Sequence, residues 1–412
     1  MAIRSEYSKE DEGDGILWRT VDSVSKRIWV PGAVIVGAGP SGVAVAACLK
    51  QQGVPFLVLE KASCIGSLWK FKTYNCLQLH LPKKFCELPY LPFPSEFPSC
   101  PTKLQFLSYL ETYAKQFSIR PMFGQEVRSV AYDKTVGFWQ VEANESEFVC
   151  RWLIVASGEN AEPVLPNIPG ISEYSGLVIH SSKYKDGADF QGQKVLVVGC
   201  GNSGMEVGLD LCKNGAQVSM VVRDKVHILP RAVLGRSTFG VSMWLLNWFS
   251  VKTVDRLLLL YSRVVLGDTR RSGIKRPEAG PLELKNSAGK TPVLDTGAFS
   301  MIKSGEIKVS CGIQRFTDNG VQFMDGRTEE YDAVILATGY KTNVTSWLKE
   351  DTFFNPKDGY PNNPFPHNWK GKNGLYSVGF TRRGMLGASI DAQMVARDIA
   401  VQWMSETRHV RT

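Results

Sequence analysis

The chain has 412 residues, of which 43% are apolar, 21% charged and 10% aromatic, and its 48 basic against 40 acidic side chains give a net charge of +8. That profile excludes a disordered, collagen-like or coiled-coil chain and is long enough for two or three domains without disulfide or metal staples. The basic residues are scattered, with only short clusters such as Arg270-Arg271 and Arg382-Arg383, so no nucleic-acid surface is readable and small anionic ligands fit better. None of the nine cysteines lies within nine residues of another, which removes a C-x-x-C redox pair and a zinc-knuckle spacing. No metal site is expected.

Residues 1–29 open with MAIRSEYSKEDEGDG, a polar, acid-rich extension without an apolar run, so no signal peptide is read and a cytoplasmic location is expected. A β-branched run, Ala33-Val34-Ile35-Val36, then leads into Gly37-Ala38-Gly39-Pro40-Ser41-Gly42 and an apolar, small-residue helix, VAVAACLKQQG. Pro55-Phe56-Leu57-Val58-Leu59-Glu60 follows as a second strand ending in an acid. Strand, glycine turn, helix, strand and acid in that order form the complete dinucleotide fingerprint. Gly37 allows the tight turn, Gly39 lets the backbone approach a pyrophosphate, and Gly42 lets helix and strand pack closely. The helix N-terminus faces the phosphates with unpaired N–H groups. Glu60 is placed to accept hydrogen bonds from an adenosine ribose, and Lys61 follows it.

The same grammar recurs further on. Lys194-Val195-Leu196-Val197-Val198 runs into Gly199-Cys200-Gly201-Asn202-Ser203-Gly204, the helix MEVGLDLCKNG and the strand QVSMVVR. Here Arg223 stands where the first unit has its acid. An acid repels a 2′-phosphate, whereas arginine binds it bidentately. The first site is therefore expected to hold FAD and the second NADP(H). Residues 152–158 and 333–339 both read as a buried strand closing on a small-residue turn, the second containing Thr338 and Gly339. The expected fold is α/β with two Rossmann-like dinucleotide-binding domains, the NADP domain inserted into the FAD domain. Its parts are a first FAD portion at 30–165, the NADP domain at 166–333 and a second FAD portion at 334–412.

Residues 241–267 (VSMWLLNWFSVKTVDRLLLLYSRVVLG) raise the membrane question, but Lys252, Asp255, Arg256 and Arg263 interrupt them. Two amphipathic helices are expected, covering a pocket or lying on a membrane surface. Membrane-surface contact, with peripheral association to the endoplasmic reticulum, is left open and not predicted.

Between the two glycine turns, Tyr174-Ser-Gly176-Leu-Val-Ile-His180-Ser-Ser-Lys-Tyr184 resembles the F-x-G-x-x-x-H-x-x-x-[F/Y/W] signature of class B flavin monooxygenases, with Tyr174 replacing the phenylalanine. Tyr184, where Baeyer–Villiger members carry tryptophan, is similar to the flavin-containing monooxygenase branch. Residues 69–117, 156–162 (ASGENAE), 275–281 (KRPEAGP), 289–295 (GKTPVLD) and 379–384 (GFTRRG) narrow the resemblance to the plant YUCCA branch. That resemblance covers about residues 30–400. It implies NADPH- and O2-dependent conversion of indole-3-pyruvate, an aromatic α-keto acid, to indole-3-acetate (auxin) and CO2 through a C4a-(hydro)peroxyflavin. The alternatives are an N- or S-oxygenating flavin monooxygenase and an NADPH oxidase.

The resemblance also points to individual residues. In Leu79-His80-Leu81-Pro82, His80 occupies the place where the wider family has an asparagine near the flavin, so it is a catalytic and FAD-site candidate, or else an anchor of the loop. Leu68 and Trp69 are expected beside the isoalloxazine, Trp69 alternatively as core. Ser389 is expected to open a helix aimed at the flavin pyrimidine. Asn202 is a second catalytic candidate, reaching the cofactor from the NADP loop. His180 is expected to hold the hinge between domains, and Lys341, Arg382 and Arg383 are candidates for a substrate carboxylate, with Arg383 alternatively a plain surface charge.

Overall fold

The computed structural model describes residues 26–144, 146–350 and 352–409. Most of the expected extension at 1–29 lies outside the described residues, and the first strand already begins inside it, at Lys26–Val36. That strand is central to an eight-stranded sheet. Phe56–Glu60 and Ser146–Val155 flank it in parallel, and Phe138–Ala143 and Val127–Asp133 continue the sheet antiparallel. Met122–Phe123, Leu348–Lys349 and Leu375–Ser377 complete it, the last two drawn from the chain's final quarter.

The helix Pro40–Gln51 is buried from Gly42 to Leu49. Its run of Ala, Val and Cys is what lets it be covered on all sides: the sheet, the helix Lys103–Gln116 and the C-terminal helix Gly384–His409 all pack against it. The C-terminal helix presents Ala392, Val395, Ala396 and Ile399 to this core, the three- and four-residue spacing of one helical face.

The second sheet is wholly parallel, in the order Ile307–Ser310, Gln217–Val221, Lys194–Val198, Ala333–Leu336, Leu177–His180. Its helix Asn202–Lys213 is buried on more than one side, with Met205, Val207, Leu209 and Leu211 all in the core of this lobe. The expected boundary at 333/334 is corrected here: all of Ala333–Leu336 pairs inside the second sheet, so the chain returns to the first lobe only beyond it. The outgoing and returning crossings lie side by side, with Tyr340 opposite Pro163 and Lys341 opposite Glu162 in a short antiparallel pair.

Residues 241–267 form two helical pieces. They begin in Thr238–Leu245 and continue in Val251–Leu266, and no helix among the described residues is long and apolar enough to cross a membrane. Val254, Asp255, Leu258 and Ser262 face inward, whereas Trp248 is 74% and Val264 77% exposed. Asp255 is buried in this apolar stretch because its carboxylate accepts the Leu282 and Glu283 N–H groups at 2.8 and 3.1 Å, capping the helix Pro281–Ala288.

Candidate active site

The first glycine turn is built as its spacing requires. Gly37 has φ +107°, and a Cβ there would stand 2.7 Å from the Ala156 carbonyl oxygen. A Cβ on Gly42 would sit 1.9 Å from the Gly37 carbonyl, so only glycine allows this helix-to-strand approach. At Gly39 nothing stands within 4 Å, leaving the backbone open to a ligand. The helix begins at Pro40 without a side-chain cap, so its first N–H groups point outward unpaired.

These elements end in a cleft of about 400 Å³. Of the residues expected at the FAD, Gly37, Gly39, Pro40, Ser41, Glu60, Lys61, Leu68 and Trp69 line it. Ala38 and Gly42 are buried behind them. Glu60 is only 5% exposed and accepts from Ala38 N–H at 2.8 Å, Ala62 N–H at 2.9 Å and the Ser67 hydroxyl at 3.0 Å. Those bonds fix the carboxylate at the cleft wall. Trp69 serves both expectations, lining the cleft while packing edge-on against Phe106 at 4.5 Å.

The cleft also holds buried polar atoms without a partner: Gln125 Oε1, Ser157 Oγ and Asn343 Oδ1. Unpaired buried polar groups are costly, and their convergence on one cleft fits a polar ligand there. Glu159 lines the same cleft and accepts the Arg382 N–H at 2.6 Å, while burial pushes its carboxyl above the ordinary range. On the C-terminal helix behind Ala388, Asp391 accepts the Gly379 N–H at 3.0 Å, and burial pushes its carboxyl up to about 7.

The second turn repeats the first almost atom for atom. Gly199 has φ +117° with its would-be Cβ 2.5 Å from the Ala337 carbonyl, that of Gly204 lies 2.0 Å from the Gly199 carbonyl, and Gly201 is open. Asn202 and Ser203 begin the uncapped helix, with Cys200 ahead of them in the turn. Arg223 stands just beyond the strand end, 81% exposed and paired at 2.9 Å only with its neighbour Asp224. So exposed a pair contributes little and leaves the guanidinium free to meet a phosphate.

Several expectations are redirected. His80 does not line the cleft. It is 32% exposed, and its Nε2 lies 3.2 Å from Glu206 Oε1 on the second turn helix, where the Tyr74 hydroxyl also donates to Glu206. Ser389 does not open a helix, because the helix begins five residues earlier at Gly384; its hydroxyl donates to the Glu87 carbonyl at 2.9 Å. The helix N-terminus meets the cleft instead through Gly384 and Met385. Asn202 Oδ1 is occupied by the Leu294 N–H at 3.0 Å. Thr338 and Gly339 are turned to the hinge: the Thr338 hydroxyl donates to the Val164 carbonyl at 2.6 Å, and the Gly339 carbonyl lies 3.1 Å from His180 Nε2. The Tyr174–Tyr184 signature is thus a brace, with Tyr174 donating to the Tyr331 carbonyl and Tyr184 to Asp210.

Against known proteins, a family model described as pyridine nucleotide-disulphide oxidoreductase matches residues 34–231. Indole-3-pyruvate monooxygenase YUCCA6 of Arabidopsis thaliana is 57% identical over 383 residues, 92% of each chain. Indole-3-pyruvate monooxygenase YUCCA4 of Oryza sativa subsp. japonica is 56% identical, over 92% of this chain and 89% of that one. The chain belongs to the YUCCA family. A solved structure of OTEMO in complex with FAD and NADP, 17% identical, superposes with a TM-score of 0.69 over 92% of this chain and 86% of that one, which shows the shared fold.

For a YUCCA-family chain, the disulphide-oxidoreductase match reports architecture, since none of the nine cysteines lines the cleft. The YUCCA reading of the sequence missed Glu159 and Asp391 as site groups. Glu159 was visible as part of ASGENAE; Asp391 had no local signal, since only the fold brings it to Gly379.

Proposed function

We propose that this chain is an FAD- and NADPH-dependent monooxygenase converting indole-3-pyruvate, NADPH, H+ and O2 to indole-3-acetate, CO2, NADP+ and water. The observation that supports it most strongly is the pair of matching glycine turns, one opening onto the cleft and the other ending at Arg223, in a chain 57% identical to an indole-3-pyruvate monooxygenase. Bound FAD would supply the redox chemistry and the activation of O2. The chain's own residues do the rest. Gly37–Gly42, with the unpaired N–H groups of Ser41 and Gly42 at the start of the helix, would hold the pyrophosphate, and Glu60, immobilised by its three donors, would take the ribose. Gln125, Ser157 and Asn343, whose buried polar atoms lack partners in the cleft, would supply further polar contacts to the bound group. Gly199–Gly204 cradle the second pyrophosphate, and Arg223 takes the 2′-phosphate.

Trp69, Leu68, Met385 and Ala388 make the cleft wall apolar, which keeps water from the reacting atoms. No side-chain nucleophile is required. The test is to mix FAD-loaded protein with NADPH, air and indole-3-pyruvate, subtract spontaneous decarboxylation in an NADPH-free control, and count acetate against NADPH. A ratio near one supports the monooxygenase, whereas NADPH loss with only hydrogen peroxide formed points to the oxidase.

A further inference from the structure

Three cations were candidates for a substrate carboxylate, and their surroundings separate them. Lys341 Nζ is 3.7 Å from Glu162, and Arg382 is bound to Asp358 at 2.8 Å while its guanidinium stacks 4.1 Å from the Tyr360 ring. Both are neutralised. Arg383 has no carboxylate partner among the described residues; its guanidinium lies 4.4 Å from the centre of the Phe365 ring. Facing it across the lobe boundary is a second such cation, Lys285, with Nζ 5.4 Å from the Phe239 ring. Burial lowers the proton affinity of Lys285, and the Arg383 charge lowers it further.

We propose that Lys285 and Arg383 bind the carboxylate of an aromatic α-keto acid, with the rings of Phe239, Phe85 and Phe365 receiving its aromatic end. This inference rests on the monooxygenase reading above. Two like charges without a counter-ion, one of them half-buried, repel each other, and a bound carboxylate removes that repulsion. The fold brings the pair together deliberately. Asp255 caps the helix that carries Lys285, and the Gly289 turn at its end lies so close to Arg382 that a Cβ would stand 2.9 Å from its guanidinium.

The chain joins the cluster to the cleft at two points. Arg383 immediately precedes Gly384 and Met385, which line the cleft. Phe85 precedes Glu87, whose carbonyl holds Ser389 on the same C-terminal helix, and the Phe85 ring meets Phe239 edge-on at 4.9 Å. The reaction gives this grip a direction. The carboxyl carbon held by the pair is the one that leaves as CO2, and the new carboxylate is one carbon nearer the ring. Product is therefore released from the cations that captured the substrate.

The test uses FAD-loaded Lys285→Gln, Arg383→Gln, the double variant and the conservative Arg383→Lys. Indole-3-lactate serves as a non-reacting acid and indole-3-ethanol as its counterpart lacking the carboxylate. Each Gln variant should raise KM for indole-3-pyruvate about ten- to a hundredfold, with KM for NADPH and FAD content unchanged, and Arg383→Lys should recover part of the loss. Indole-3-lactate should bind the native protein more tightly than indole-3-ethanol, and the double variant should bind the two alike. An unchanged KM, or an intact preference for lactate in the double variant, overturns the proposal. So does an equal loss of both ligands, which means a damaged pocket. The lactate measurement needs no turnover, so it stands apart from failure of the monooxygenase reading, which would show as absence of indole-3-acetate from the native protein.

Discussion

The two glycine turns share a backbone but not a setting. In each, a Cβ on the third glycine would stand 1.9 or 2.0 Å from the first glycine's carbonyl oxygen, and the middle glycine is open. At the first, the acid that follows is 5% exposed and fixed by three donors, and walls from distant parts of the chain close the cleft. At the second, Arg223 is 81% exposed beside its one acidic neighbour. The pyrophosphate cradle is thus a repeated part, while retention of the nucleotide depends on what surrounds it. A buried setting suits a resident cofactor, and an open one suits a nucleotide that must enter and leave in every cycle.

Breaking each turn separately should have the largest effect. Gly42→Val should abolish FAD binding, read as loss of flavin absorbance in the purified protein. Gly204→Val should retain FAD but slow its reduction by NADPH by more than about a hundredfold. If Gly204→Val also loses FAD, the two turns are not independent. Next comes Asp391, behind the first cleft. Its folded pKa, pushed up to about 7 by burial, exceeds its ordinary value of 3.8, so the folded protein holds this proton more tightly than the unfolded chain. The stability it contributes is present in acid and is lost as pH rises from about 4 to about 7. Asp391→Asn should therefore gain on the native protein across that window, by about 4 kcal/mol above pH 7. Parallel melting curves at pH 5 and pH 8 check the sign.

At the open site, Arg223→Glu should weaken NADPH about ten- to a hundredfold while leaving NADH nearly unchanged. Steady-state KM values for both nucleotides decide it, and an unaltered preference removes Arg223 from the 2′-phosphate. The smallest effect is expected at the seam between the sites. His80 is partly exposed and touches Glu206 outside the cleft, so His80→Ala should keep full FAD content and change kcat less than about threefold. A large rise in peroxide per NADPH in that variant would instead return His80 to the flavin.

The glycine turns were legible because their spacing is a steric requirement: the third glycine of each must clear the carbonyl of the first, five residues before it. The insertion was legible for a related reason, since two buried strands ending in small turns must each close a sheet. Its edge was misjudged by a few residues, because Ala333–Leu336 has the same composition as a strand of either sheet and only pairing decides between them. Ser389 misled because serine is a good helix cap, yet the helix starts at Gly384, after Arg382 has turned through φ +55°. Asp391, Glu206 and Lys285 left no local trace. Each acquires its partner from more than ten residues away, and single charged residues on helices look alike until the fold places them.

The cleft wall is divided in sequence: one part ends at Ala161, and Asn343, Trp347, Gly379 and the start of the C-terminal helix supply the rest. During synthesis at roughly 5–20 residues per second, the ribosome must make the whole inserted lobe, on the order of tens of seconds, before the first lobe can close on its flavin. The inserted lobe, a parallel sheet with its own helices between two adjacent crossings, is complete earlier. The nascent chain therefore acquires its exchangeable-nucleotide lobe before its resident-cofactor lobe, and the flavin enters as the last piece of the assembly.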